Sequence, residues 1–155
     1  MPIGLRWDND KGTCVWMTTD VGALAQDESL ETAVLLSLFT DAPATAAELA
    51  AARQTEQLGW WASADSIRPP GGRILGSKLW LLQRGKTTLA TLRLAEQHCI
   101  DALRWLIDLN IAAEIKVLAE RPQLGTLQVN IRITRPQKLL PPFERLWKVR
   151  TNALL

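Results

Sequence analysis

The chain has 155 residues, 47% of them apolar and 22% charged, which fits one compact domain with a sizeable core and argues against disorder. Its 18 basic and 16 acidic side chains are well mixed and sum to +2, so there is no broad positive field to gather phosphate backbones, and nucleic acid is not an expected partner. No stretch is apolar over the roughly 20 residues a membrane span needs, and Met1-Pro2-Ile3-Gly4-Leu5-Arg6 lacks the charged and apolar regions of a signal peptide, so synthesis in the cytoplasm is expected.

Cys14 and Cys99 are the only cysteines, too few for a disulfide framework. With the single His98 they could form at most a partial metal site, because a closed zinc site needs four ligands. No metal and no cofactor are expected. The unusual component is aromatic: seven Trp, two Phe and no Tyr. Tryptophan serves both cores and interfaces, so composition alone does not separate the two uses.

Along the chain, Trp7-Asp8-Asn9-Asp10-Lys11-Gly12 reads as a turn and Thr13 to Thr18 as a short strand. Asp27, Glu28 and Ser29 stand where a helix N-terminus favours acidic and capping groups, ahead of a short, mostly buried helix from Leu30 to Phe39. Ala42 to Ala52 adds a second, alanine-rich helical segment. Between Gly59 and Leu75, Gly59, Pro69, Pro70, Gly71 and Gly72 remove any periodicity, leaving a long loop that carries Trp60 and Trp61. Loops of that length tend to be functional or disordered, and adjacent tryptophans speak against disorder.

Thr87 to Leu109 has the strongest helical pattern, with Leu89, Leu92, Cys99, Ile100, Leu103, Leu106 and Ile107 on one stripe. Leu94, His98, Trp105 and Leu109 form a weaker line on the opposite side, so the helix needs two things to pack against, its own loop or a partner. Glu96 falls inside the main stripe and is expected to pair with an arginine or to sit at the stripe's edge. Ala113 to Ala119 and Thr126 to Thr134 read as two strands of a hairpin, the second alternating Leu127, Val129, Ile131 and Ile133 inward against Gln128, Asn130, Arg132 and Thr134 outward. The conformation of the apolar segment Pro141 to Val149 stays open. The expected fold is α+β: a single domain in which a long amphipathic helix packs on a small, mostly antiparallel sheet, with a C-terminal β-hairpin and a long Trp-bearing loop. Residues 1–135 form that domain, and 136–155 form a tail docking on it or on a partner.

No catalytic signature in the sequence is specific. Gly85-Lys86-Thr87 resembles the end of a phosphate-binding loop, but the required first glycine is Trp80. His98, the sole candidate base for a nucleophilic triad, lies mid-helix among apolar neighbours. Carboxylate pairs such as Asp20 with Asp41, or Glu56 with Asp65, can be nominated for glycoside hydrolysis, yet their spacing does not set them apart from surface charge.

The order of Leu38-Phe39-Thr40-Asp41, then Gly59-Trp60-Trp61, then Gly76-Ser77-Lys78-Leu79-Trp80-Leu81-Leu82, then Ala102-Leu103-Arg104-Trp105-Leu106 and the final strand, resembles the Mu-like phage baseplate wedge family over roughly residues 15 to 135. That family is related to the small wedge subunit of T-even-like contractile tails and to a baseplate component of type VI secretion systems. The resemblance implies a non-enzymatic virion structural protein, present in several copies around the central hub, whose partners are other wedge proteins, the first ring of tail sheath and, as a further candidate, the hub itself. It also implies strand exchange with neighbours, for which an exposed edge at 113–119 or 126–134 is required. Where relatives place arginines after Leu-Phe-Thr-Asp this chain has Ala42-Pro43-Ala44, so its contacts are expected to be apolar and backbone-mediated. The candidate partner-binding residues are Trp60, Trp61, Trp80, Leu94, His98, Trp105, Gln128, Asn130 and Arg132. The competing readings are a tail-associated cell-wall hydrolase and an unrelated adaptor domain.

Overall fold

A computed structural model describes residues 3–26, 30–59, 74–83, 88–123, 125–136 and 142–150. The chain opens with β1 (Leu5–Asp8) and β2 (Thr13–Trp16), an antiparallel pair with Leu5 opposite Trp16 and Asp8 opposite Thr13. The turn expected over Trp7 to Gly12 is therefore shorter: Trp7 and Asp8 belong to β1. The Asp8 carboxylate closes the turn by accepting the N–H groups of Asp10 and Lys11, each at 3.0 Å, and Gly12 takes the left-handed conformation (φ 64°) that the reversal needs.

Helix α1 (Glu31–Phe39) buries Thr32, Val34, Leu35, Ser37 and Leu38, residues spread around most of its circumference. A helix apolar on so many sides needs cover on more than one, and α1 lies between the N-terminal hairpin and the long helix. Its two buried hydroxyls are satisfied. Thr32 Oγ1 accepts the Leu5 N–H at 2.9 Å, while Ser37 Oγ donates to Ala33 O at 2.8 Å. The capping residues expected at 27–29 lie outside the described residues. Helix α2 (Ala46–Ala51) starts with a reciprocal capping box between Thr45 and Glu48.

Helix α3 (Leu89–Asp108) is the longest element, capped by Thr88 and Thr91 in the same reciprocal manner. Its buried residues are Ala95, Cys99, Leu103 and Leu106, a narrower stripe than the sequence suggests. Leu89 and Ile107 are exposed because they fall at the stripe's end and margin. Asn110 at φ 57° ends the helix, and the N–H groups of Ile111 and Ala112 return to Leu106 O at 2.8 and 2.9 Å.

The C-terminal half of the core rests on β3 (Glu114–Gln123), β4 (Thr126–Thr134) and β5 (Phe143–Arg150), all antiparallel, in the order β3-β4-β5. The expected hairpin is present as β3 and β4, with β3 reaching four residues beyond the expected end and a register shift between Glu120 and Gln123. The tail segment that the sequence left open is the third strand. It adds Phe143 and Trp147 to the core, the latter only 1% exposed. On β4 the alternation holds: Leu127, Val129, Ile131 and Ile133 are buried against the helices. Trp7 stacks on Phe39 at 4.1 Å, and Phe39 meets Trp147 edge-on at 6.4 Å, so an aromatic run ties the hairpin, α1 and the sheet together.

Candidate functional site

The densest polar construction lies where a short 3-10 turn (Leu79–Leu82) and the residues before it meet the end of α1. Asp41 and Ser77 form a parallel bridge, the Ala42 N–H donating to Ser77 O and the Ser77 N–H to Thr40 O, both at 2.9 Å. Ser77 Oγ, buried, donates to Leu38 O, one of the carbonyls in the last turn of α1. Gly76 has φ 112°, and a Cβ there would stand 2.5 Å from Thr40 O, so only glycine permits this approach. Trp80 is 3% exposed and its indole N–H donates to Ala42 O at 2.8 Å. The structure thus assigns Trp80, a candidate partner contact by sequence, to the interior.

The second line of α3 divides. Trp105 is half-buried against the core and its indole N–H donates to Ser37 Oγ at 3.1 Å, so α1 covers this part of the line. His98 lines a cavity of about 330 Å³ together with Glu48, Lys78 and Asp101. Burial, and then the positive charge of Lys78, hold its imidazole below the ordinary histidine range. Lys78 is committed to Glu48 at 2.6 and 2.8 Å, and that contact, with the hydrogen bonds from Thr45, lowers the Glu48 carboxyl to about 2. Leu94 is exposed beside Leu89 and Arg93, and Leu109 is exposed at the far end. Trp60 and Trp61 lie outside the described residues.

Gln128, Asn130 and Arg132 occupy the solvent face of β4, which is the central strand and therefore not an edge. Of the two segments either of which could have offered the edge for strand exchange, 126–134 is thus excluded and 113–119 remains. Gln128 Nε2 donates to Glu120 Oε2 at 3.1 Å, Arg132 lies 4.0 Å from Glu144, and Asn130 stands in register between the exposed Leu118 and Leu146. Glu96 resolves its burial without an arginine. Its Oε1 accepts the Ala119 N–H at 3.0 Å, a donor on the side of β3 away from β4.

Sequence reasoning missed a patch at the N-terminus. Trp16 is 61% exposed and Val21 89%, with Ile3 and Leu24 also exposed nearby in a small ladder in which Gly4, Met17 and Ala25 exchange backbone bonds. The available signal was Cys14-Val15-Trp16-Met17, apolar on both faces of a strand whose ribbon offers one side for burial.

Burial raises the Cys99 thiol to about 12 and moves Cys14 in the same direction, so neither is a ready thiolate. Among the described residues there is no cluster of three or more His, Cys, Asp or Glu able to hold a metal ion, and no helix is long and apolar enough to cross a membrane.

These features define a small α+β protein in which Trp80, Ser77 and Glu96 serve its own packing. The family model described as phage protein GP46 matches residues 30–139, and the chain belongs to that family. It is 33% identical over 142 residues to the baseplate protein gp46 of Escherichia phage Mu, covering 92% of each chain. It is also 34% identical over 134 residues to the Mu-like prophage FluMu protein gp46 of Haemophilus influenzae, covering 86% of this chain and 87% of the relative.

Proposed function

We propose that this chain is a structural subunit of a phage tail baseplate, placed in the virion in several copies around the hub. There it joins wedge neighbours and seats the first sheath subunits by taking a strand. Its likeness to the Mu baseplate protein supports the location. The observation that carries the mode of contact is the outer edge of β3. Counting from the Ala119 N–H, the backbone groups of Ile115 and Val117 point away from β4, and among the described residues no strand or side chain bonds to them. An edge of this kind offers backbone donors and acceptors in register, which is what strand addition requires. Exposed Leu118, on β3 itself, supplies apolar contact there.

The test is Val117→Pro. The ring removes an outward donor and spares the ladder to β4, so the variant is expected to fold, judged by circular dichroism, while captured sheath and wedge subunits and assembled tails fall by at least about tenfold. Normal tail assembly by a folded Val117→Pro protein would remove strand addition at β3 from the proposal.

A further inference from the structure

The opposite edge of the sheet is treated differently. On β5, residues 144, 146 and 148 present their backbone groups away from β4, since 143, 145 and 147 stand opposite the β4 residues that are not used by β3. Here three of the groups are occupied by the N-terminal hairpin, whereas on β3, among the described residues, only the Ala119 N–H is taken, by Glu96. Asn9 Oδ1 accepts the Lys148 N–H at 2.8 Å and Asn9 Nδ2 donates to Leu146 O at 3.3 Å. Trp7 Nε1 donates to Lys148 O at 3.1 Å. One side-chain amide therefore does on either side of Trp147 what one residue of a parallel neighbouring strand would do, accepting from one peptide and donating to another.

We propose that the Asn9 amide is a built-in stop for strand addition: it stands in the place of an incoming peptide group on β5 and leaves β3 as the edge through which the subunit takes a strand. The stop itself follows from the contacts at Leu146 and Lys148, whereas the role of β3 rests on the strand-addition reading above. The geometry has a reason in assembly. A sheet with two open edges can pair β3 of one copy with β5 of the next, a head-to-tail contact that does not close and so grows without limit. Closing one edge within the chain makes any addition one-sided. The hairpin turn is suited to the task because Trp7 is fixed by its stack on Phe39 and the turn by the Asp8 carboxylate, so Asn9 is held against β5 from both directions.

Asn9→Ala opens the edge at an exposed turn position. Purified Asn9→Ala protein is expected to show a weight-average mass that climbs with concentration to at least twice that of the unaltered protein, measured by light scattering at matched concentrations. Trp7→Phe, which removes one donor and keeps the aromatic stack, gives a smaller rise. Adding Val117→Pro to Asn9→Ala is expected to return the mass to that of the unaltered protein. An Asn9→Ala protein that is folded by circular dichroism and shows no added mass overturns the stop, and leaves the β3 reading to its own test. Added mass that persists in the double variant overturns the head-to-tail pairing of β5 with β3. Should Asn9→Ala fail to fold, Trp7→Phe carries the same decision, an unchanged mass counting against the stop.

Discussion

Trp80 is 3% exposed and Trp16 is 61% exposed, although each sits in a short apolar segment of similar composition, Leu79-Trp80-Leu81-Leu82 and Cys14-Val15-Trp16-Met17. The difference is in what surrounds them. At the corner, α1 ends, residues 40–42 run beside Ser77, and the Ala42 carbonyl stands ready for the indole N–H. The N-terminal ribbon has two short strands and one covered side, through which Leu5, Trp7 and Cys14 meet the core. Apolar content that becomes core in one place becomes surface in the other, because burial needs a second layer and a partner for every polar atom. The corner therefore fixes the fold, and the ribbon is left with apolar surface of the kind that partners use.

The comparison is broken most severely at Gly76. Gly76→Val forces a side chain into the Thr40 carbonyl and a β-branched residue into φ 112°, and the bridge between residues 40–42 and 77 has to open. A cost of about 3 kcal/mol or more is expected, a large part of the stability of a domain this size. Chemical denaturation checks it. A loss under about 1 kcal/mol would mean that the corner is looser than its contacts indicate.

Much of this was legible in the sequence, and unevenly. Periodicity located α3 and β4, because Cys99, Leu103 and Leu106 recur at helical spacing and Leu127 to Ile133 alternate. The fold class followed from those two elements. The third strand was not legible: Phe143-Glu144-Arg145-Leu146-Trp147 keeps an inward period of two only at Phe143 and Trp147, with Arg145 between them reaching Glu31 instead. Nor was the fate of Trp80, since burial there depends on Ala42, distant in sequence. The edges were the least legible, because they depend on which backbone groups remain after pairing. Glu96 was expected to pair with an arginine or to sit at the stripe's edge, and its half-buried carboxylate takes the Ala119 N–H; Asn9 was read only as a turn residue while its amide lies on β5.

A smaller effect sharpens the corner's electrostatics. The Glu48 carboxyl has a folded-state pKa of about 2 against an ordinary 4.5, chiefly because the Lys78 hydrogen bond favours its ionised form. A depressed carboxyl stabilises the fold above its ordinary range, and the contribution disappears as pH falls from about 4.5 toward 2. Both side chains are about a third exposed, so solvent screening limits the pair to at most about 1 kcal/mol. Glu48→Gln should remove that part of the acid sensitivity and leave stability at neutral pH lower by a similar amount. Denaturation midpoints of the two proteins at pH 7 and pH 3 should therefore lie closer together at the lower pH.

The smallest change in stability is expected at Trp16. Trp16→Ser deletes the largest side chain of the exposed patch, yet it leaves no buried cavity and costs the indole no hydrogen bond among the described residues, so the unfolding free energy should move by less than about 0.5 kcal/mol. The same substitution at a buried tryptophan such as Trp147 costs about 3 to 5 kcal/mol, by removing the side chain that Phe39 and Phe143 pack against. Paired denaturation curves for the two variants measure the contrast directly. A Trp16→Ser protein destabilised as strongly as Trp147→Ser would show that the ribbon is part of the core in solution. A stable Trp16→Ser protein that assembles fewer tails places the cost of that exposed ring on the partner side, where a subunit built to be held by its neighbours should carry it.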